Sequence, residues 1–362
     1  MRDAGRLPTA ELRRADFHRI LLIKLSSVGD VVHAVPVLAG LRRRFPAAQI
    51  DWLVRPDCAD LVRCHPALSH ALPFPRHASD LRTHGARLLD SLRAVRQGRY
   101  DLVVDLHGQF RTGLYALASG APVRLGFAGW REGAGLAYTH RIAEPTRERH
   151  AIERYLWFGE RLGFPPGPPE LTLSLPPEAD AAASALLARH GLAGRPLAVL
   201  TPGTVWQTKR WTAEGFAAVA RHLAGRGLAV LLAGSAQDRP RAAAVAALCP
   251  ESVTDLTGKT SVGLLAALIE RARLCVTNDS GPMHIAVALG TPVVSVFGPT
   301  SPVRTGPWGH PEAVVRSGIA CSPCYIRTLR RCPNGHRCLA ELPAAPVLAA
   351  IDRALDRTPA GQ

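Results

Sequence analysis

A chain of 362 residues, 47% of them hydrophobic, is long enough for two folded domains, and this composition excludes a chain that is disordered throughout. The formal net charge of +15 favours anionic partners or a solvated basic surface, whereas only 6% aromatic residues argue against a nucleic-acid stacking surface. No apolar run reaches the roughly 18 residues that cross a bilayer, and no secretory signal is recognisable, so we predict a cytoplasmic protein.

The first half of the chain alternates short apolar runs with helical patterns. Residues 1–17 are polar and unpatterned and are predicted to be a flexible leader. The predicted strands are Arg19–Leu25, Ile50–Val54, Tyr100–Leu106 and Val123–Phe127. The predicted helices are Val31–Phe45, Ala86–Val95, Thr112–Ala118 and Ala151–Leu162, with a short apolar segment at Pro66–Pro75.

Prolines then become dense between Pro165 and Pro177, which predicts a domain boundary near residue 175. The same alternation restarts beyond it. The predicted strands are Leu197–Leu200, Ala229–Ala233, Val253–Leu256, a run that ends at Val276, and Val293–Phe297. The predicted helices are Ala179–His190, Thr212–Gly225, Pro240–Leu248, Ser261–Ala272, Met283–Leu289 and Pro343–Leu355. Alternating strands and helices predict an α/β protein with two doubly wound parallel sheets, in domains 18–175 and 176–342.

The stretch from Val276 to Thr300, VTNDSGPMHIAVALGTPVVSVFGPT, reads as a strand, a capped helix and a second strand. Asp279 and Ser280 are helix-capping types, and a proline follows Gly281 at the first helical position. A helix that starts at the end of a parallel strand attracts anions, so we predict a diphosphate site here. The alternative is an ordinary βαβ unit with a good cap. His284 falls on the first helical turn, where a structural histidine is commoner than a catalytic one.

Three other strand ends carry polar residues. Asp30 follows the turn after the first strand, with His33 one turn on, and is either a general base or a partner of the helix dipole. Thr204 and Lys209 follow another strand and could bind a phosphate, or form a solvated loop. Asp238 follows a glycine at a strand end, which is a weak signal for ribose recognition.

Four of the eight cysteines, together with one histidine, cluster near the end of the chain. They are Cys321, Cys324, Cys332, His336 and Cys338. These are enough ligands for tetrahedral zinc, but the second pair lacks the spacing of a zinc ribbon. Thiols packed in a basic loop are the favoured alternative, and we assign no metal.

Three of these motifs together resemble glycosyltransferase family 9, the bacterial heptosyltransferases that build the lipopolysaccharide inner core. They are KLSSVGDVVHAVPVLAGLRRRFP at Lys24–Pro46, PGTVWQTKRW at Pro202–Trp211 and NDSGPMHIAVALGTPVVSVFGPT at Asn278–Thr300. The resemblance implies a GT-B fold, with two Rossmann-like domains facing a central cleft. The first domain would bind the acceptor and the second the nucleotide sugar, and residues 343–362 would form a helix that crosses back to the first domain.

The resemblance also implies the reaction. It is the inverting, metal-independent transfer of heptose from ADP-L-glycero-D-manno-heptose to Kdo (type I) or heptose (type II) of the lipid A inner core. No cofactor would be required, and the enzyme would lie on the inner face of the cytoplasmic membrane. The alternatives are another GT-B transferase or an epimerase that uses a UDP- or GDP-sugar, and a non-enzymatic basic anion-binding module.

The predicted site residues fall into three groups. The catalytic base is Asp30. The donor-binding residues are Thr204, Lys209, Asp238, Asp279, Ser280, Gly281 and His284, where Asp238 stands in place of the family's glutamate and has a shorter reach. The acceptor-binding residues are Ser27, Gly29, His33, Arg111 and Arg131. Position and charge add Arg55, Arg63 and Arg124 as candidates for the anionic groups of the acceptor.

Overall fold

The computed structural model describes residues 11–75, 80–129, 132–146 and 148–357. The chain divides into two compact units, Met1–Ser174 and Leu175–Gln362. Each unit contains one six-stranded, fully parallel sheet with helices. In the described part of the chain, no helix is both long and apolar enough to cross a bilayer.

The central strands of the first sheet are buried on both faces, as parallel sheets covered by helices require. Its strands are β1 (Arg19–Ile23), β2 (Gln49–Val54), β3 (His70–Pro73), β4 (Leu102–Asp105), β5 (Val123–Phe127) and β6 (His140–Ile142). Its helices are α1 (Val28–Arg44), α2 (Leu81–Gln97), α3 (Phe110–Ser119) and α4 (Ala151–Leu162). The strand order is β3-β2-β1-β4-β5-β6.

The second sheet follows the same plan. Its strands are β7 (Leu197–Thr201), β8 (Ala229–Leu232), β9 (Thr254–Asp255), β10 (Ala272–Asn278), β11 (Val293–Phe297) and β12 (Val314–Arg316). Its helices are α5 (Pro177–Arg189), α6 (Ala213–Gly225), α7 (Arg239–Leu248), α8 (Val262–Glu270), α9 (Gly281–Leu289), α10 (Pro302–Thr305), α11 (Arg337–Ala340) and α12 (Ala345–Asp356). The strand order is β12-β11-β10-β7-β8-β9.

Counted along its own part of the chain, each sheet has the Rossmann order 3-2-1-4-5-6. The connections therefore change direction between β1 and β4 in the first unit, and between β7 and β10 in the second. Loops that leave the carboxyl ends of these strand pairs diverge, and ligands of open α/β sheets bind in the resulting crevice. The topology thus selects one candidate crevice in each unit.

The last helix, α12, packs in the second unit. Its apolar residues Val347, Ile351 and Leu355 belong to the buried cluster that also contains Trp211 and Phe216. The amphipathic pattern of the helix explains this packing, because its buried positions are three or four residues apart. The return of residues 343–362 to the first domain stays a prediction.

The elements differ from the sequence prediction mainly at short edges. Strands β6 and β12 have three residues each, which is too short for a periodic pattern, and they form by pairing with β5 and β11. Helix α1 begins at Val28 rather than Val31, which places Asp30 inside its first turn. The prediction of a loose leader is wrong for residues 11–17, because Leu12 and Phe17 are buried. Residues 1–10 lie outside the described part.

Candidate functional site

The first crevice centres on the pair Lys24 and Asp30, which flank the turn from β1 into α1. Asp30 is the third residue of α1 and closes a capping box: the Ser27 N–H and hydroxyl each donate to its Oδ2 at 3.0 Å. Its other oxygen, Oδ1, accepts from the Tyr155 hydroxyl at 3.2 Å and lies 3.8 Å from Lys24 Nζ. Four groups from three parts of the chain therefore fix this carboxylate.

The electrostatics of this cluster keep Asp30 ionised. Burial alone would raise the pKa of Asp30, but Lys24, Ser27 and Tyr155 together hold that pKa below its ordinary value. Burial and the Asp30 carboxylate raise the pKa of Tyr155 to about 12, so the phenol stays a donor. The Lys24 side chain is 7% exposed and that of Asp30 is 41% exposed. The carboxylate is therefore the member of the cluster that an incoming hydroxyl can reach.

Strand β4 supplies the other side of this crevice. Asp105, at its end, is buried and accepts hydrogen bonds from the Tyr138 hydroxyl and from the N–H groups of His107 and Gly108. Burial outweighs these bonds and raises the pKa of Asp105. Burial and the nearby cations lower the pKa of His107 to about 4, so its imidazole is neutral near pH 7. Asp105 and His107 were not predicted as site residues, although the DLHG segment at a strand end was a usable signal.

The predicted acceptor residues have unequal positions. Ser27 is the N-cap of α1 and donates to Asp30, and Gly29 is buried in the first turn of the same helix. His33 is buried, with its ring edge-on to that of His150 at 5.2 Å between centroids. Arg111 is exposed at the start of α3 and donates to Gln109 Oε1 at 2.8 Å and 3.1 Å. The prediction for Arg131 lies outside the described residues.

The three further arginines already have partners. Arg55 bonds Asp57 at 2.7 Å, and Arg63 bonds Asp60 at 2.8 Å. The guanidinium of Arg124 donates to the backbone oxygens of Ala121 and Ala137. Arg124, in β5, therefore ties together the segments that precede β5 and β6, and the structure does not favour it as an acceptor ligand.

In the second crevice, a buried asparagine ties together the loops that follow β7 and β10. Asn278 donates to the Pro202 oxygen at 2.9 Å and accepts from the Trp211 N–H at 3.0 Å. Thr277 extends this link, because its hydroxyl lies 2.6 Å from that of Thr201 and 2.9 Å from that of Ser280. The loops are thereby held at fixed separation at the carboxyl edge of the sheet.

Lys209 and Asp279, which come from the two predicted anion sites of this unit, form an ion pair. Lys209, from the 3₁₀ turn Gln207–Lys209, places its Nζ 2.6 Å from Asp279 Oδ2, next to the start of α9. The two side chains are 15% and 3% exposed. Thr300 donates to the same carboxylate oxygen, and the Lys209 ammonium lies 4.7 Å from the centre of the Trp206 ring. The sequence placed both residues at strand ends, but their pairing is visible only in the structure.

The remaining donor candidates follow the carboxyl ends of β7, β8 and β10. Ser280 is the N-cap of α9, Gly281 is its first residue, and His284 is buried in its first turn. The main-chain oxygen of Thr204 accepts from Arg210 at 2.9 Å. Asp238 Oδ2 accepts from the N–H and hydroxyl of Ser235 in another capping box, so Asp238 also has a structural role.

Glycine at position 203 permits the position of Asp238. A Cβ on Gly203 would lie 2.1 Å from the Asp238 carboxyl carbon, which is a severe overlap. The Asp238 side chain thus lies directly against the turn after β7, on the same edge of the sheet as Lys209. Ribose binding by Asp238 remains a prediction.

The four clustered cysteines are free thiols that lie near one another. Burial and the neighbouring Cys321, Cys324 and Cys332 raise the pKa of Cys338 to about 11. Within the described residues, no group of three or more histidine, cysteine, aspartate or glutamate side chains is arranged to hold a metal ion.

A separate cavity of about 220 Å³ lies away from both crevices. It is lined by the end of α9, the start of β11 and α12, with Arg353 and Arg357 at its rim. Glu312 pairs with Arg357 at 3.4 Å there. The cavity lies at the amino end of β11, opposite the edge at which α/β sheets place their ligands.

The sequence and fold of the chain resemble those of known proteins. Residues 88–333 match the sequence profile of glycosyltransferase family 9 (heptosyltransferase). Lipopolysaccharide heptosyltransferase 1 of Pseudomonas aeruginosa is 31% identical over 86% of this chain and 87% of its own length. Lipopolysaccharide heptosyltransferase 2 of Escherichia coli K12 is 31% identical over 82% of this chain and 88% of its own.

A solved structure shows the same architecture. The structure of E. coli ADP-heptose lipopolysaccharide heptosyltransferase II matches with a TM-score of 0.77 and 25% identity. The match covers 94% of this chain and 99% of that one. Together with the two Rossmann-ordered sheets, it confirms the predicted α/β GT-B fold.

Proposed function

Because the chain belongs to glycosyltransferase family 9, we propose that it is the lipopolysaccharide heptosyltransferase that adds heptose from ADP-heptose to the inner core. Membership in the family makes it a glycosyltransferase. The names of its relatives support heptose as the sugar, ADP as the leaving group and lipopolysaccharide as the acceptor. The observation that carries the mechanism is the partly exposed, ionised Asp30 carboxylate at the switch point of the first sheet.

We propose Asp30 as the base that accepts the proton of the acceptor hydroxyl. A depressed pKa makes Asp30 a weak base, but the hydroxyl becomes strongly acidic as its oxygen bonds to the sugar carbon. Proton transfer is therefore favourable late in the step, and a carboxylate that is ionised in advance is available for it. Lys24 and Tyr155 hold Oδ1 in place, which lowers the cost of orientation. Attack of the acceptor oxygen on the face of the sugar carbon opposite the leaving ADP gives inversion.

We propose the second crevice as the site of the ADP moiety. The Lys209 ammonium, the Thr204 hydroxyl and the amides at Ser280 and Gly281 would stabilise the charge that develops on the departing diphosphate. Asp238 would bind the ribose, and His284 would support the first turn of α9. These groups are supplied by the protein, so we propose transfer without a metal ion or a cofactor.

The acceptor is an anionic glycolipid, and we propose that the enzyme meets it at the inner face of the cytoplasmic membrane. The net charge of +15 supports this location, since basic proteins bind anionic headgroups. Arg111, on the rim of the first crevice, would contact a Kdo carboxylate, with Arg131 as a second candidate. Heptosyltransferase 1 of P. aeruginosa and heptosyltransferase 2 of E. coli K12 are each 31% identical to this chain, so an acceptor comparison must decide the type.

The central experiment measures heptose transfer from ADP-heptose to Kdo₂–lipid A and to its monoheptosylated form. Asp30→Ala should lower kcat by about 10²–10⁴-fold while the Kd for ADP stays within twofold, because Asp30 belongs to the other unit's site. Asp90→Ala, which removes a 72% exposed carboxylate of the same unit, is the matched control and should retain wild-type turnover. Turnover by Asp30→Ala near that of the control would show that Asp30 is not the base.

The donor base is tested by thermal shift with ADP, UDP and GDP. ADP should stabilise the protein most, because the stabilisation by a ligand grows with the logarithm of one plus the ratio of its concentration to its Kd, so at equal concentration the tightest-binding nucleotide gives the largest shift. A larger shift with UDP or GDP would instead favour another GT-B transferase or an epimerase.

A further inference from the structure

The loop that contains the four cysteines packs onto the segment that presents Lys209. We call residues Cys321–Cys338 the cysteine loop. Its His336 Nε2 lies 2.7 Å from the Thr208 oxygen, and the Thr208 hydroxyl in turn donates to the oxygen of Ile326. The Leu329 N–H donates to Gln207 Oε1 at 3.1 Å. Three contacts therefore fix the cysteine loop to the 3₁₀ turn Gln207–Lys209.

The other side of the cysteine loop is anchored to the turn that follows β11. The N–H groups of Cys324 and Tyr325 donate to the Pro299 oxygen at 3.0 Å and 2.8 Å, and the Ser322 hydroxyl donates to the Gly298 oxygen. A Cβ on Gly298 would lie 3.1 Å from the Cys338 sulfur, so the thiol packs on this turn as well. The loop thus bridges the strand ends after β7 and β11, and its middle lies at the donor crevice.

The ion pair in that crevice leaves a deficit of positive charge. Lys209 is matched by Asp279 at 2.6 Å, and the pair is largely buried, so together they present no net charge to a ligand. A nucleoside diphosphate carries two to three negative charges and is bound best by cations that are not already neutralised. The amides at the start of α9 supply only a partial charge. A further cation is needed at this place.

Arg327, in the middle of the cysteine loop, has the position that this requires. Its guanidinium carbon lies 4.6 Å from the centre of the Trp206 ring, the same ring that carries the Lys209 ammonium at 4.7 Å. Arg327 is exposed, and the described residues offer it no carboxylate partner. The indole holds the guanidinium by a cation–π contact and leaves the guanidinium N–H groups available. A guanidinium binds phosphate oxygens in bidentate fashion.

We propose that the cysteine loop forms one wall of the donor site and that Arg327 binds the diphosphate of the nucleotide sugar. This inference rests on the proposed function and extends it to a residue outside the three sequence motifs. The same guanidinium would stabilise the diphosphate as the sugar leaves. The neighbouring Arg330 is exposed on the same loop and makes no described contact with the Gln207–Lys209 turn, so it serves as the matched control.

The test is isothermal titration calorimetry of the full chain with ADP and with AMP. Arg327→Gln should raise the Kd for ADP about 10- to 100-fold, the usual effect of losing a charge-assisted hydrogen-bond pair, and should raise that for AMP less. Arg327→Lys should recover part of the affinity, because it keeps the charge and loses the fork. Arg330→Gln should bind ADP as the wild type does. The Tm of each ligand-free variant should match that of the wild type.

Two results would overturn the assignment. One is an Arg327→Gln protein whose Kd for ADP stays within twofold of the wild-type value. The other is an equal loss of affinity in Arg330→Gln, which would indicate only the general field of a basic loop. A wild-type chain that binds no ADP would refute the proposed function itself, and the two failures are thereby distinguished.

Discussion

Replacing Asp279 with asparagine separates the structural role of the buried ion pair from its role in donor binding. The substitution keeps the shape of the side chain and removes the charge 2.6 Å from Lys209 Nζ. Removing one partner from a fully buried ion pair costs about 3–5 kcal/mol. The Lys209 side chain is 15% exposed and keeps its contact with Trp206, so we expect a loss of about 2–3 kcal/mol in the free energy of unfolding.

This loss converts into a measurable change in melting temperature. For a unit of this size, 1 kcal/mol corresponds to about 2–4 °C, so ligand-free Asp279→Asn should melt about 4–12 °C below the wild type. ADP should then stabilise the variant more than the wild type. In the variant, the diphosphate becomes the counter-ion of an otherwise unpaired ammonium. Each tenfold gain in ADP affinity adds about 1.4 kcal/mol at saturating ligand, or about 3–6 °C.

Differential scanning calorimetry with and without ADP measures both quantities. Asp356→Asn is the matched control, because that carboxylate is 70% exposed and pairs with Arg226 at the surface. Neither residue of this pair belongs to the predicted donor site. It should melt with the wild type in both conditions. The reasoning is refuted if ADP shifts Asp279→Asn by the same amount as the wild type or less. Asp279 would then orient Lys209 for the diphosphate and would not compete with it.

Two further predictions concern the first crevice and the buried apolar cluster of the second unit. Lys24 holds the pKa of Asp30 below its ordinary value, so that pKa should rise in Lys24→Met. The acid limb of the kcat/KM profile, where the base becomes protonated, should then move to higher pH. An acid limb at the wild-type pH would show that Lys24 does not set the pKa of the catalytic base. Gly215→Ala would place a Cβ 2.4 Å from the buried Trp211 ring and should cost about 1–3 kcal/mol in urea unfolding. Gly225→Ala, in the same helix with open space around it, is its control and should not destabilise the chain.

Most of the fold and the centre of each crevice could be predicted from local sequence. Apolar runs separated by helical patterns predicted parallel sheets, and dense prolines marked the boundary at which the chain divides. Asp30, Lys209 and Asp279 were found because each follows a strand, and polar residues at strand ends are a local signal. The start of α9 was found from its capping residues and its proline.

The partners of these residues required the tertiary structure. Tyr155 bonds Asp30 across 125 residues of chain, and no local pattern relates the two. Periodicity reports whether a segment can form a strand or a helix. Strand order, by contrast, is decided by how all the segments bury their apolar faces together.

That same ordering brought Lys209 beside Asp279 and seated Arg327 on the Trp206 ring. The sequence by itself determined the class of fold and the polar strand ends. Only the packed structure decided which charges neutralise one another and which remain for a ligand, because an ion pair forms between side chains that the sheet order makes neighbours.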